Sequence, residues 1–312
     1  MENNFYIFGE NEGIDTINLK LKSFNEDVVN SYLKKHGRKI EKGITLSKYK
    51  SFYNNCKLMI PECEIRIQAE ALCMKRNIWT QLVIIVFKLY QKKIIDIPCL
   101  GTCPLNMDAL LTIDTYLPYI VELTRLDFHF DFKQDRIALI NPIPFKDKKG
   151  NLSYTSYSED GKKRRQSHWC CYDRRFRLCA VNQINHDIIM AMQFPMRIEY
   201  RFKKKNTQWL NLLNLKGNFD FVFNKYVQIM ARSWKAKGCK CATVIPNDIE
   251  NRYFSQLLEL ASKEKAISKN KSTKKSEKIS FDENYYYVWQ ILSVAKKEPD
   301  FILQNTDSSI NN

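Results

Sequence analysis

Two short segments of the chain repeat one arrangement of charge. Arg125-Leu126-Asp127-Phe128-His129-Phe130 and Arg197-Ile198-Glu199-Tyr200-Arg201-Phe202 each place an arginine two positions before a carboxylate and alternate polar with apolar residues. Successive side chains of a strand point to opposite faces, so arginine and acid share one face and the apolar residues take the other. If the two strands are neighbours in a sheet, Asp127 and Glu199 converge on one spot flanked by cations. Carboxylate oxygens suit Mg2+ or Mn2+, and arginines beside them suit a phosphate held against the metal. Tyr172 lies between the two segments, in a basic stretch with Lys162, Lys163, Arg164, Arg165, Arg174, Arg175 and Arg177. A phenol with an ordinary pKa of about 10 needs nearby cations or a metal before it attacks phosphorus. Each feature alone has a plainer reading. An arginine and an acid two apart on a strand often make an exposed surface pair, and most tyrosines pack.

Strands must position these residues, and the periodicity provides them. Residues 121–132 alternate most cleanly, with Leu126, Phe128, Phe130 and Phe132 on one face and Arg125, Asp127, His129 and Asp131 on the other. Residues 167–180 read as a second strand, with His168, Cys170, Tyr172 and Arg174 opposite Trp169, Cys171 and Asp173. Residues 196–203 read as a third, and 14–22 and 63–68 as half-buried strands. Helical spacing covers 25–35, 79–92 and 108–120, while Pro98, Gly101 and Pro104 break regular structure and 146–165 reads as polar and turn-rich. Beyond residue 206 the pattern is helical, over 219–234, 253–263 and 281–297. A flexible basic linker is expected at 265–278 and a disordered tail at 305–312. The expected architecture is α+β: a curved, mainly antiparallel sheet with helices on one face, open to a division into two pseudo-symmetric halves. A catalytic unit over 1–215 would precede a helical, basic region over 216–312.

Lys and Arg outnumber Asp and Glu 50 to 34, giving a formal charge of +16, and such an excess favours polyanions through counterion release. The 44% hydrophobic content is enough to fill a core. The first 14 residues are polar and carry Glu2, Glu10 and Glu12, which is unlike a secretory leader, so a cytoplasmic location is expected. The longest apolar run, 82–87, is far short of the ~20 residues that span a bilayer. Ten cysteines raise the question of zinc, but Cys99/Cys103, Cys170/Cys171 and Cys239/Cys241 all lack the C-x2-C spacing, so reduced thiols are expected. His36, His129, His168 and His186 form no His-x-His pair, and His129 and His168 read as polar neighbours of the site rather than ligands. No G-x4-G-K-[ST] loop occurs, so a fused helicase is not expected.

In sequence order, 123–132 (LTRLDFHFDF), then Ser167 with Tyr172-Asp173-Arg174 five residues on, then 196–202 (MRIEYRF) resemble the replication initiation factor family. That family comprises Rep proteins of rolling-circle plasmids and relatives of the filamentous-phage gene II nickase. Its members show an R-hydrophobic-D strand, an S-x4-Y-[DN]-K segment and a closing R-hydrophobic-E strand. The resemblance covers roughly residues 123–205. It implies that Tyr172 is the nucleophile and that Asp127 and Glu199 are the leading ligands of Mg2+ or Mn2+, with Asp131 and Asp173 as weaker candidates. Arg125, Arg174 and Arg197 would hold phosphate oxygens, and Lys162, Lys163, Arg164, Arg165, Arg175 and Arg177 would contact DNA. Two departures stand out: Arg174 replaces the family's lysine, and basic Arg175 and Arg177 stand where a glutamate often follows the triplet.

The implied activity is nicking of origin DNA, single-stranded or extruded as a hairpin, by transesterification that leaves a 5′-phosphotyrosyl link and a 3′-OH primer and is later reversed by rejoining. Host helicase and DNA polymerase are the implied partners, a homodimer is plausible, and the helical third would read the origin. Two rivals are carried beside this reading. One is a DNA-binding replication regulator that does not cut. The other is an RNA-binding protein that stacks bases on Phe128, Phe130, Tyr200 and Phe202, which requires those rings to be exposed.

Overall fold

The computed structural model describes residues 11–53, 58–97, 107–133, 143–146, 152–159, 166–175, 191–203, 210–242 and 250–264. Nine strands, β1 (Glu12–Leu21), β2 (Lys39–Glu41), β3 (Ile44–Tyr53), β4 (Leu58–Gln68), β5 (Val121–Phe132), β6 (Ile143–Lys146), β7 (Leu152–Tyr157), β8 (His168–Asp173) and β9 (Met196–Lys203), make one sheet in the order β2-β3-β4-β1-β5-β9-β8-β7-β6. Every neighbouring pair is antiparallel. Among the described residues the α-helices are α1 (Glu26–His36), α2 (Ile78–Gln91), α3 (Met107–Ile120), α4 (Phe219–Lys237) and α5 (Arg252–Lys263), so the fold is α+β as expected.

The helices start where the sequence supplies a cap. Asn25, Asn77 and Asn218 each accept a hydrogen bond from the backbone N–H three residues on, at 3.1, 3.2 and 3.1 Å, which satisfies one of the N-terminal donors left without a helical partner. α1 also carries Glu26 and Asp27 in its first turn and Lys34, Lys35 and His36 in its last, complementing its dipole. It ends on Gly37 at φ 67°, a left-handed conformation that costs glycine nothing.

The apolar sides of the central strands and all five helices share one core. Phe128 of β5 touches Phe202 of β9 and Phe219, Phe223 and Tyr226 of α4, with ring centroids 6.0, 6.0, 6.2 and 5.8 Å away. Trp169 of β8 meets Tyr200 at 4.6 Å and Trp234 of α4 at 4.8 Å, while Phe254 of α5 lies 5.0 Å from Phe130. The helical region expected after residue 215 is therefore, as far as residue 264, built onto the sheet rather than set apart from it. Phe128→Ala is expected to cost about 3–5 kcal/mol, the lost transfer energy plus a cavity that four aromatic neighbours cannot close. Urea denaturation of the full chain measures it.

Several elements differ from the sequence reading. β2 and β3 were not anticipated, and β7 occupies a stretch read as turns, because its Ser153, Thr155 and Ser156 give no hydrophobic alternation. β8 ends at Asp173 rather than continuing; residues 176–180 lie outside the described residues, as do the break at 98–104, the helix at 281–297, the linker and the tail. Phe128, Phe130, Tyr200 and Phe202 are buried under α4, which removes the exposed stacking face that the RNA-binding reading needs. Among the described residues, no helix is long and apolar enough to cross a membrane.

Candidate metal and tyrosine site

The polar face of β5 is buried too: Asp127, His129 and Asp131 are 0%, 5% and 1% exposed. Ionised groups taken from water must be paired, and the sheet register pairs them. β5 lies antiparallel to β9 with Asp127 opposite Arg201, His129 opposite Glu199 and Asp131 opposite Arg197. β8 continues the rows, with His168 opposite Arg201, Cys170 opposite Glu199 and Tyr172 opposite Arg197. Asp127 and Glu199 are therefore diagonal neighbours, and the two Arg-x-acid repeats run in opposite directions. The antiparallel pairing sends Arg125 and Arg197 to opposite ends of the acid pair.

A third acid joins them from β1. Its pairing with β5 jumps between Ile14↔Phe128 and Thr16↔Asp127, leaving Asp15 as the extra residue of a β-bulge. A bulge turns a side chain away from the alternation it would otherwise follow. Oxygens of Asp15, Asp127 and Glu199 lie within 4.8 Å of one another. A Mg2+ ion about 2.1 Å from each ligand is reached from that spacing by a small contraction. Three oxygen donors and no sulfur or imidazole also match the preference of Mg2+ or Mn2+ rather than zinc.

Tyr172 meets this group directly. It is 3% exposed, and its phenol donates a short hydrogen bond to Glu199 Oε1. Arg201 Nε donates to Glu199 Oε2 at 2.7 Å, and Cys170 Sγ approaches the same oxygen at 3.5 Å. Arg125 holds Asp127 with Nε 2.9 Å from each carboxylate oxygen. Arg197 Nε and Nη2 hold Asp131 at 2.6 and 2.8 Å, and Nη1 reaches across to Asp15. Arg174 Nη1 donates to Asp131 Oδ2 at 2.5 Å.

The structure brings Asp127, Glu199 and Tyr172 together as the sequence led one to expect, whereas Arg125, expected to hold a phosphate oxygen, clamps both oxygens of Asp127 instead. Asp131 does not belong to the three-acid group, because it lies two residues along β5 from His129's row and both its oxygens are taken by Arg174 and Arg197. Those two arginines hold that carboxylate rather than standing open to a phosphate. Asp173 faces away from the site and pairs with Arg175, Nη2 to Oδ2 at 2.6 Å, so Arg175 is not an open DNA contact either. Lys162, Lys163, Arg164, Arg165 and Arg177 lie outside the described residues. Sequence reasoning missed Asp15 and Arg201. The signal for Asp15 was present: Ile14 and Ile17 are three apart, whereas Leu19 and Leu21 are two apart, and one surplus residue in an alternating strand is what a bulge looks like in sequence.

Burial dominates the proton equilibria here. It raises Asp127 above the usual carboxylate value despite Arg125 and Arg201. Burial and the Glu199 charge also push Asp15 upward, but Arg197, His129 and Thr16 outweigh them and leave it lowered. Burial and Arg197 push His129 down to about 4. His168 is likewise pushed down to about 4 by burial, against the opposing pull of its Nδ1–H bond, 2.8 Å to the carbonyl of Gln166. A histidine held neutral in the fold takes up a proton first in the unfolded chain, so its contribution is complete above the ordinary value of 6.5 and is lost as the pH falls towards 4. Each histidine is worth about 3 kcal/mol across that window. The urea midpoint is expected to drop between pH 7 and 4.5, and His168→Gln to remove roughly half of the drop.

Compared with protein-family profiles, characterised proteins and solved structures, the chain shows no match.

Proposed function

We propose that the protein is a DNA-nicking initiator of rolling-circle replication, acting on origin DNA through Tyr172. One observation carries the reading: the Tyr172 phenol is hydrogen-bonded to Glu199, which is itself one of the three clustered carboxylates. The order and spacing of the strand motifs that resemble replication initiation factors support it, as does the net charge of +16.

Charge balance gives the arrangement a chemical direction. Asp15, Asp127, Asp131 and Glu199 are matched by Arg125, Arg174, Arg197 and Arg201, so these eight side chains sum to zero when ionised. A divalent cation and one phosphodiester together add a single positive charge, and because the proton that Tyr172 gives up stays within the site on Glu199, that total does not change during the attack. Asp15, Asp127 and Glu199 would hold a Mg2+ or Mn2+ ion, which when bound would supply positive charge to the phosphate. Tyr172 Oη attacks phosphorus and passes its proton to Glu199 Oε1. The bond from phosphorus to the 3′ oxygen breaks, and that oxygen takes up a proton to become the 3′-OH. Arg201 and Arg125 fix the carboxylates throughout. The 5′-phosphotyrosyl link keeps the bond energy for rejoining, while a host helicase and polymerase open the duplex and extend the primer. The setting is the cytoplasm, and a homodimer would bring two such sites to one origin.

The test is covalent capture. Labelled origin DNA incubated with the full chain in Mg2+ or Mn2+ is expected to stay bound to the protein through denaturing electrophoresis. DNA that is shifted in native gels yet never covalently attached would instead indicate a non-cutting replication regulator.

A further inference from the structure

The sheet has a second set of residues in the geometry of the site just described. Exchanging β1 with β5, β4 with β9 and β3 with β8 maps the run β3-β4-β1 onto β8-β9-β5, and the β1–β5 pair onto itself. The register survives the exchange. Asn18 lies opposite Arg66 on β4 as Asp127 lies opposite Arg201 on β9, and Lys20 lies opposite Glu64 as His129 lies opposite Glu199. On the next strand Ser47 faces Glu64 as Cys170 faces Glu199, and Tyr49 faces Glu62 as Tyr172 faces Arg197. Within the central pair, Asn18↔Arg125 becomes Asp127↔Thr16.

Even the irregularities correspond. β1 has its surplus residue at Asp15, beside Thr16, and β5 has one at Thr124, beside Arg125, because its pairing jumps from Asn18↔Arg125 to Leu19↔Leu123. The counterparts of Asp15, Asp127 and Glu199 are thus Thr124, Asn18 and Glu64, and these three also meet. Thr124 Oγ1 donates to Glu64 Oε2 at 2.7 Å, and Asn18 Nδ2 donates to Glu64 Oε1 at 2.7 Å. We infer that β1, β3 and β4 carry a disarmed copy of the carboxylate site, in which a hydroxyl and an amide bonded to Glu64 stand where the armed site has two further carboxylates.

Chemistry explains the exchange. Three clustered carboxylates offer a divalent ion the hard oxygen donors it prefers, whereas one carboxylate beside a hydroxyl and an amide is satisfied by hydrogen bonds alone. An independent mark of the former role is Asn18 Oδ1. Asn18 is 9% exposed, and this oxygen, the counterpart of an Asp127 carboxylate oxygen, has no hydrogen-bond partner among the described residues. A buried acceptor of that kind costs about 1–3 kcal/mol, which a residue selected only for packing would avoid. Tyr49 completes the copy in position but not in chemistry. Its phenol is bonded to Glu62, and burial with Glu64 and Glu62 raises its affinity for its proton, where Tyr172 has Arg197 as its cross-strand neighbour. The chain is then an internal duplication with one armed half, able to form one phosphotyrosyl link at a time.

This inference rests on the metal reading of Asp15, Asp127 and Glu199, and counting Mn2+ separates the two. Bound Mn2+ per chain is read from the loss of the free-ion electron paramagnetic resonance signal on titrating the full-length protein. Wild type is expected to bind one ion and Glu64→Gln to keep it; a loss on Glu64→Gln means the copy is armed and overturns the inference. Asn18→Asp with Thr124→Asp rebuilds three carboxylates and is expected to bind two. If circular dichroism shows that the double variant has not folded, the near-isosteric Asn18→Asp alone is expected to add a weaker second ion. A folded variant that binds no more than wild type overturns the inference. A wild type that binds none defeats the metal reading instead, and the copy then stands or falls on whether Asn18→Asp with Thr124→Asp gains an ion.

Discussion

Tyr172→Phe is expected to abolish covalent capture of origin DNA and to slow nicking of supercoiled substrate by a factor on the order of a thousand or more. The substitution removes one oxygen and leaves the ring in place, so β8 keeps its packing and the fold loses about one hydrogen bond, roughly 1 kcal/mol. Glu199 remains held by Arg201 at 2.7 Å, which protects the rest of the site. DNA affinity measured by gel shift should therefore survive while chemistry does not. The comparison that matters is with Tyr49→Phe, which alters the corresponding position of the other half and is expected to leave nicking within about twofold of wild type. Nicking at the normal rate by Tyr172→Phe would remove the phenol from the mechanism and the proposed function with it.

How much of this was legible without coordinates depended on whether the information was local. β5 is bounded as its alternation indicated, because every second residue from Leu126 to Phe132 is large and apolar and the intervening ones are polar. Asp127 and Glu199 could be matched because each repeats the same local pattern, and Tyr172 because it fell between them. What stayed hidden was long-range. The broken alternation around Asp15 marks a surplus residue but not the strand it is aimed at, and Arg201 reads as a surface residue until β9 is seen paired on both sides. The antiparallel direction of β5 and β9 decides that Arg197 serves Asp131 rather than the Asp127 end of the site, and pairing direction leaves no trace in a single strand. A division into two halves could be raised from the sequence, but which residues correspond was hidden for a related reason. Glu64-Ile65-Arg66 and Glu199-Tyr200-Arg201 share only two residue types, and the correspondence becomes clear through cross-strand partners rather than through identity.

Asp127→Asn is expected to eliminate metal-dependent stabilisation of the protein. In wild type, Mn2+ at a hundred times its dissociation constant adds about 2.7 kcal/mol, which for a chain of this size raises the melting temperature by several degrees. The amide keeps the shape of the carboxylate but contributes one neutral oxygen, leaving two charges to face the ion. It also removes the partner of Arg125, whose side chain is largely buried, so the variant is less stable without metal by up to about 3 kcal/mol. The diagnostic quantity is thus the difference between melts with Mn2+ and with chelator, not the melting temperature itself. The pH adds a second handle. Burial raises the Asp127 pKa, so as the pH falls this carboxylate takes up a proton sooner than an ordinary one, and a bound proton is one the ion must displace. Mn2+ affinity is then expected to climb as the pH rises through that raised value and to level off above it, with proton release on binding. In Asp127→Asn the part of the dependence that arises from this carboxylate is absent, so a variant that kept both the full Mn2+ shift and an unchanged pH slope would show that the ion, if any, is held elsewhere.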